Sequence, residues 1–258
     1  SLHTPKNQAT PSLGITGAGG FIGLHLQKFL DSRQLEFTPL RIRGSNPSNV
    51  EISLEELKAS GINTLIHLGW PASSTKDYKF SNSNLGAALL TIQIAEFCAG
   101  NEIHFLGCGS PAEYSDESTE YAKAKRIVRA SLDDLIAMQR ITWLRPHHVF
   151  DGSTWPLFLR EAKSGQRIRI YDNSEKLFIH VEDVVAAIHA ATKHRLYGEI
   201  DIAPSRPTKP STLLASLKLP HSVIGNLNAN QSTKNLHMAA LLETGWRPIV
   251  TDSLFQST

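Results

Sequence analysis

A chain of 258 residues, 41% hydrophobic and 19% charged with no biased tract, has the composition of an ordinary folded protein with a sizeable core. Its net charge of +2 is too small, and its basic residues too scattered, to point to nucleic acid. No run reaches the roughly 18 apolar residues of a membrane span, and Cys98 and Cys108 form neither a CxxC pair nor a zinc pattern, so no metal site is expected.

The polar lead SLHTPKNQATPS lacks the apolar core of a signal peptide, and the sequence predicts a cytoplasmic protein with reduced thiols. From Leu13 to about Arg145, short apolar runs alternate with helical patterns. The runs are LGIT, EFTPLRI, NTLIHL, EIHFLG and ITWLR. Between them, NLGAALLTIQIAEFCA and YAKAKRIVRASLDDLIAM repeat apolar residues at intervals of three and four. This alternation predicts a parallel sheet covered on both faces, and right-handed connections favour the doubly wound α/β arrangement. After Arg145 the rhythm breaks. RIRIYDN reads as a strand, and LFIHVEDVVAAIHAATK as a strand running into a helix with acidic residues near its start. From Ala203 to Asn235 a chain rich in Pro, Ser, Thr and Asn predicts loops around one or two short helices.

The stretch GITGAGGFIGLHL, residues 14–26, follows the first strand and opens a helix. Gly17 permits a tight turn, Gly20 lets the backbone approach a pyrophosphate, and Gly23 lets the helix pack closely on the strand. The helix N-terminus then presents unpaired N–H groups and a partial positive charge. The pattern predicts a dinucleotide-binding core over residues 1–145. Residues 146–258 read as a mixed segment that returns to the core and forms a small substrate-binding cap. At the end of the second strand, PLRIRG offers Arg41 and Arg43 where dinucleotide folds usually place an acid. An acid would repel a 2′-phosphate and an arginine pairs with it bidentately, which favours NADP(H) over NAD(H). Two solvated arginines at a strand end are the plain alternative.

These stretches, in this order, resemble the extended short-chain dehydrogenase/reductases, the NAD(P)-dependent epimerase/dehydratase family. TGAGGFIG looks like the family's glycine signature, LIHLGWPAS like its apolar strand beside the cofactor, and FLGCGSPAEYS like the strand that delivers a catalytic Ser. YAKAK is a YxxxK pair, and LRPHHVFDG, KLFIHVEDV and TGWRPIVTDSL resemble later segments. The resemblance implies a Rossmann fold and catalytic residues Ser110, Tyr121 and Lys125. Tyr121 would act as acid/base, Ser110 would hydrogen-bond the reacting oxygen, and Lys125 would also hold the nicotinamide ribose. Cofactor contacts are implied at Gly17, Gly20, Phe21, Ile22 and Gly23, at Glu51 and Ile52 beside the adenine, and at Leu68, Gly69 and Asn84. Asn84 equally suits a helix N-cap. Substrate contacts would come from Ser110, Glu113, His147, His148 and Lys176.

The physics of the pair stands beside that resemblance. Tyr121 and Lys125 are four apart and share one face of a helix. Tyrosine titrates near pH ~10, and a nearby ammonium with an oxidised nicotinamide would lower that value.

Departures from the family pattern shape the expected chemistry. Pro111 and Ala112 follow Ser110 where dehydratases carry an Asp-Glu pair, and Glu113, one position later, is expected to face solvent. Ten residues separate Ser110 from Tyr121, a short covering loop. Trp70 replaces a small residue beside the nicotinamide, and Lys176 stands where an arginine on a sugar diphosphate is common. His147 and His148 suit substrate binding, proton transfer or loop capping. The expected activity is reduction of a keto group on a nucleotide-linked sugar. The alternatives are an NAD-dependent epimerase, a reductase of a non-sugar ketone, and a cofactor-binding protein without turnover. Ile127, Val128, Leu132, Leu135 and Ile136 offer an apolar surface for a homodimer, shared with packing on the sheet.

Overall fold

The computed structural model describes residues 12–42, 52–70, 77–151, 161–170, 175–216, 218–225 and 235–255. Strands lie where the apolar runs predict them: β1 (Leu13–Thr16), β2 (Phe37–Leu40), β3 (Thr64–His67), β4 (His104–Cys108) and β5 (Thr142–Pro146). Further on come β6 (His148–Phe150), β7 (Ile168–Ile170), β8 (Phe178–His180), β9 (Gly198–Ile202) and β10 (His221–Val223). Among the described residues, six strands form one parallel sheet in the order β2-β1-β3-β4-β5-β9. The order reverses between β1 and β3. Their C-terminal ends are therefore the switch point where open α/β sheets bind ligands.

The α-helices described are α1 (Phe21–Asp31), α2 (Leu54–Ala59), α3 (Ser83–Gly100), α4 (Glu120–Ser131), α5 (Asp133–Ala137), α6 (Val181–Lys193), α7 (Pro210–Ser216), α8 (Ala239–Glu243) and α9 (Ile249–Phe255). Alternate residues of each strand point to opposite faces. On one face Ile15, Ile66, Leu144 and Ile200 meet Leu26 and Leu30 of α1 and Val184 and Ile188 of α6. On the other, Leu65, Phe105 and Trp143 meet Leu57 of α2, Ile94 and Cys98 of α3 and Val128 of α4. A smaller cluster of Phe150, Ile168, Ile170, Phe178, Leu213 and Leu214 stands apart from both. Each large apolar side chain so buried contributes about 1.5–3 kcal/mol of transfer free energy.

Three expectations need correction. The long helical pattern from Tyr121 to Met138 is two helices, because Leu132 leaves helical geometry (φ −96, ψ 4) and Asp133 and Asp134 suit the first turn of a new one. GEIDI, which falls after the break in rhythm, is β9 and adds a strand beside β5. The Pro- and Ser-rich stretch after Ala203 holds α7 and also β10, which pairs with β7. Among the described residues, no helix is long and apolar enough to cross a membrane.

The tightest point of the fold is the turn after β1. Gly17 has φ +71, and a Cβ there would lie 2.5 Å from the backbone carbon of Leu68. Gly17→Ala is expected to lower stability by about 1–3 kcal/mol, read from urea denaturation, because strain and collision act together.

Candidate active site

The glycine turn stands at the switch point. Gly20 is the N-cap of α1 and brings no capping side chain. Helix geometry leaves the N–H groups of Phe21, Ile22 and Gly23 without intrahelical acceptors. Gly19 and Gly20 are exposed, and a Cβ on Gly19 would meet nothing within 4 Å. An open cradle of N–H groups at the positive end of an 11-residue helix fits a pyrophosphate. A Cβ on Gly23 would collide with the carbonyl oxygen of Gly17, so this residue sets how closely helix and turn pack. Opposite, Leu68 N donates to Thr16 O (3.0 Å) and Gly69 N to Thr16 Oγ1 (3.2 Å). Thr16 is buried and also pairs with His67 (2.6 Å), so its side chain ties β1 to β3.

Arg41 is exposed just past β2, and its carbonyl accepts from Ile52 N (2.8 Å). Ile52 bridges to Ile42 and packs on the core. Arg43 and Glu51 lie outside the described residues.

Ser110 follows β4 and caps the 3-10 turn Pro111–Tyr114, its hydroxyl accepting from Ala112 N (3.2 Å). Thr119 caps α4 by accepting from Ala122 N (3.2 Å), which starts the helix in register for Tyr121 and Lys125. Lys125 Nζ donates to the carbonyl of Cys108 in β4 (3.1 Å), and Ser110 and Tyr121 share a hydrogen bond. The three residues are therefore brought together. Trp70, just past β3, joins them: Lys125 Nζ lies 3.6 Å from its ring centroid, and its ring stands edge-on to Tyr121 at 6.2 Å. Tyr78 also meets Tyr121, at 5.6 Å. Asn84 is buried, accepts from Trp70 Nε1 (2.8 Å), and donates to the carbonyls of Tyr78 (2.6 Å) and Ser81 (2.9 Å). It is not an N-cap, since Asn82 precedes α3.

Burial pushes the Tyr121 phenol well above its usual pKa, against the hydrogen bond with Ser110, and brings Lys125 down to about 8. The expected lowering of Tyr121 requires an oxidised nicotinamide beside the ammonium; in the protein alone, burial sets the direction. The ammonium lies against the Trp70 ring, and the phenol is enclosed by two aromatic neighbours.

Glu113 also departs from expectation. It does not face solvent but lies sealed beneath Ser110, whose N–H donates to Oε1 (2.7 Å). Trp143 Nε1 donates to the same oxygen (3.1 Å), and Arg145 Nε and Nη2 donate to Oε2 (both 3.2 Å). With its carboxylate turned inward, Glu113 leaves the substrate-contact set. Arg145 reaches on to Asp201 (3.0 Å) and Glu199, and Asp201 also pairs with His147 Nε2 (2.9 Å). His148 is exposed at the start of β6, with its ring 5.7 Å from Phe178. Lys176, bonded through its backbone to Thr208, lies with Lys79 and His147 close enough for their charges to bear on His148. Nothing in the sequence pattern pointed to Tyr78 or to the Glu199–Asp201 pair. Trp70 had one signal, its size.

A doubly wound parallel sheet, with a glycine cradle at its switch point and a Ser–Tyr–Lys group beside it, defines a Rossmann-type α/β protein. Residues 13–203 match the model of the NAD dependent epimerase/dehydratase family, and the chain belongs to that family. A search of curated proteins finds no match. Among solved structures, the chain resembles UDP-N-acetylglucosamine 4-epimerase from Bacillus cereus at 17% identity and a TM-score of 0.65, over 93% of this chain and 94% of that one. RMD from Pseudomonas aeruginosa, complexed with NADPH, matches at 18% identity and TM-score 0.65 over 93% and 94% of the two chains. UDP-glucose 4-epimerase from Thermus thermophilus, complexed with NAD, matches at 17% identity and TM-score 0.59 over 92% and 94%. At such identities the likeness is one of fold.

The charge network under the site has a measurable signature. Burial alone would raise the carboxyls of Glu199 and Asp201. Hydrogen bonds from Tyr114 and Arg145 to Glu199, and from His147 to Asp201 beside the Arg145 charge, outweigh burial and hold each to about 2. A carboxyl whose folded pKa is depressed adds stability that is complete above its unfolded value and is lost as pH falls through the folded value. Thermal unfolding midpoints should therefore fall steadily between about pH 5 and pH 2. In Asp201→Asn the same profile should be flatter.

Proposed function

We propose that the protein reduces a keto group on a nucleotide-linked sugar, using a nicotinamide dinucleotide with NADP(H) preferred to NAD(H). The observation that carries this reading is the meeting of Ser110, Tyr121 and Lys125, with Lys125 Nζ bonded to the Cys108 carbonyl and the Tyr121 ring set against Trp70 and Tyr78. When bound, the dinucleotide supplies the hydride. Ser110 Oγ hydrogen-bonds the carbonyl oxygen, and Tyr121 gives that oxygen a proton as negative charge develops on it. Lys125 holds the nicotinamide ribose. Trp70 and Tyr78 keep water from the phenol, and the cradle from Gly17 to Gly23 takes the pyrophosphate. The free cysteines Cys98 and Cys108 suit a reducing compartment such as the cytoplasm.

Two features support an anionic, nucleotide-linked substrate. Lys79 and Lys176 bring positive charge close to His148, whose own pKa burial and those charges lower to about 4. The apolar cluster around Phe150, Phe178 and Leu213 supplies a small cap on that side. The preference for NADP(H) rests on Arg41, exposed past β2, as the residue that would pair with a 2′-phosphate. An epimerase is the second reading, favoured by the family match and by the UDP-sugar 4-epimerases among the similar structures. It would use the same Ser, Tyr and Lys.

Fluorescence titration with NADPH and NADH, after removal of any nucleotide carried through purification, separates the two. Tighter binding of NADPH, lost in Arg41→Ala, is the expected result. Preference for NADH, or tightly retained NAD+, would put the epimerase first. In turnover of keto sugars, Tyr121→Phe should lower kcat by about 10²- to 10⁴-fold. Lys176→Ala should raise KM for a nucleotide sugar roughly tenfold or more, and leave a neutral ketone almost unchanged.

The protein is also proposed to form a homodimer. Val128, Leu132 and Ile136 are buried within the subunit, while Ile127 of α4 and Leu85 and Leu89 of α3, the helix packed against it, are exposed. Such a patch suits a second copy of the chain. Sedimentation velocity should give a dimer, and Leu89→Glu a monomer.

A further inference from the structure

Trp70 holds three of the groups that the proposed reaction needs. Its ring lies on Lys125 at 3.6 Å from the ammonium nitrogen, which is ordinary contact distance with no room for an oxygen between them. Its edge meets Tyr121, and its N–H is fixed on Asn84, which is itself held by the carbonyls of Tyr78 and Ser81. Lys125 is 4% exposed, and its other contacts are the Cys108 carbonyl and, at 5.7 Å, the Tyr121 ring. Trp70 is half-buried, and its ring packs directly on that nearly sealed ammonium.

We propose that Trp70 gates the cofactor site: the indole caps Lys125 in the free protein and must leave it before a nicotinamide ribose can reach the ammonium. The inference rests on the reading of Lys125 as the ribose-holding residue. A gate of this kind acts on binding through competition. Each cofactor molecule that docks displaces a cation–π contact and an indole N–H bond to Asn84, and those lost contacts weaken the observed affinity. The indole suits this place because an aromatic face accepts a buried ammonium that, among the described residues, donates to the Cys108 carbonyl. A small side chain at this position would leave Lys125 open at all times.

The test is calorimetric titration of wild type, Trp70→Ala and Trp70→Phe with NAD+, NADH, NADP+ and NADPH. It is joined to fluorine NMR of 5-fluorotryptophan-labelled protein, in which the signal missing from Trp70→Phe identifies Trp70 among the four tryptophans. A gate predicts that Trp70→Ala binds the preferred dinucleotide roughly three- to tenfold more tightly than wild type. Trp70→Phe should fall between them, and the Trp70 signal should shift on saturation. In a Lys125→Met background the gain from Trp70→Ala should vanish. Equal or weaker binding by both variants, or a Trp70 signal unmoved at saturation, overturns the gate and makes the indole a fixed wall. Absence of binding by wild type and by both variants, all folded by circular dichroism, overturns the cofactor reading and the gate with it.

Discussion

The chain leaves β1 through a turn that nearly touches the end of β3. Gly17 has no room for a Cβ against Leu68, and Thr16 hydrogen-bonds both the Leu68 and Gly69 amides. Everything proposed for the site hangs on that approach. It exposes the N-terminus of α1 at the crevice where the sheet order reverses, and it fixes the point at which Trp70 emerges. Had the turn carried a side chain, β3 would have to move away, taking Trp70 from Lys125. Cradle and catalytic group are thus joined through one crowded backbone contact.

A second constraint lies under Ser110. Arg145 sits in β5 among Glu113, Glu199, Asp201 and Tyr114, with its own side chain 3% exposed. Buried ion pairs offset a heavy desolvation cost, so such a group is weak evidence of extra stability. Its geometric effect is clearer. Glu113 is bonded at once to Arg145, to Trp143 and to the main chain of Ser110, so the end of β4 is tied to β5. Gly109 completes the fit, because a Cβ there would run into Glu113 and Trp143. Ser110 is therefore held both by its backbone and by its hydroxyl, which accepts from Ala112 N on the side of Tyr121.

The parts of this arrangement set by local periodicity were legible in the sequence. Leu13–Thr16, Thr64–His67 and Thr142–Pro146 are short apolar runs between helical repeats, and each is a strand buried along its length. The glycine spacing marks a turn because backbone crowding leaves few substitutes. Tyr121 and Lys125 could be placed on one helix face from their spacing, and Ser110 joined them through the family resemblance. What could not be read depends on partners distant in sequence. Glu113 looks like a surface carboxylate until Arg145 is placed beside it, 32 residues on. β9, with Glu199 and Asp201 among its five residues, is too mixed in character to register as a strand, and it pairs with β5. The lysine was expected to act on the tyrosine it faces along the helix. Trp70, from another strand, intervenes.

That intervention bears on which chemistry the site favours. On the proposed reading, reduction of a carbonyl takes one hydride and one proton, and Tyr121, grouped with Ser110 and Lys125, gives that proton. Elimination of water would need a further acid/base next to Ser110. Pro111 and Ala112 cannot supply one, and the Glu113 carboxylate is bonded inward on both oxygens. An epimerase must run the tyrosine in both directions, accepting a proton in the first half-reaction. The phenol's proton must leave it at some stage in either reaction, so its raised pKa weighs on both alike. The cationic charge that would ease that loss is Lys125, and the Trp70 ring now holds it. Release of the indole would therefore change two things together: access to the ribose site and the electrostatic setting of Tyr121. A single aromatic side chain would then couple arrival of the cofactor to readiness of the acid.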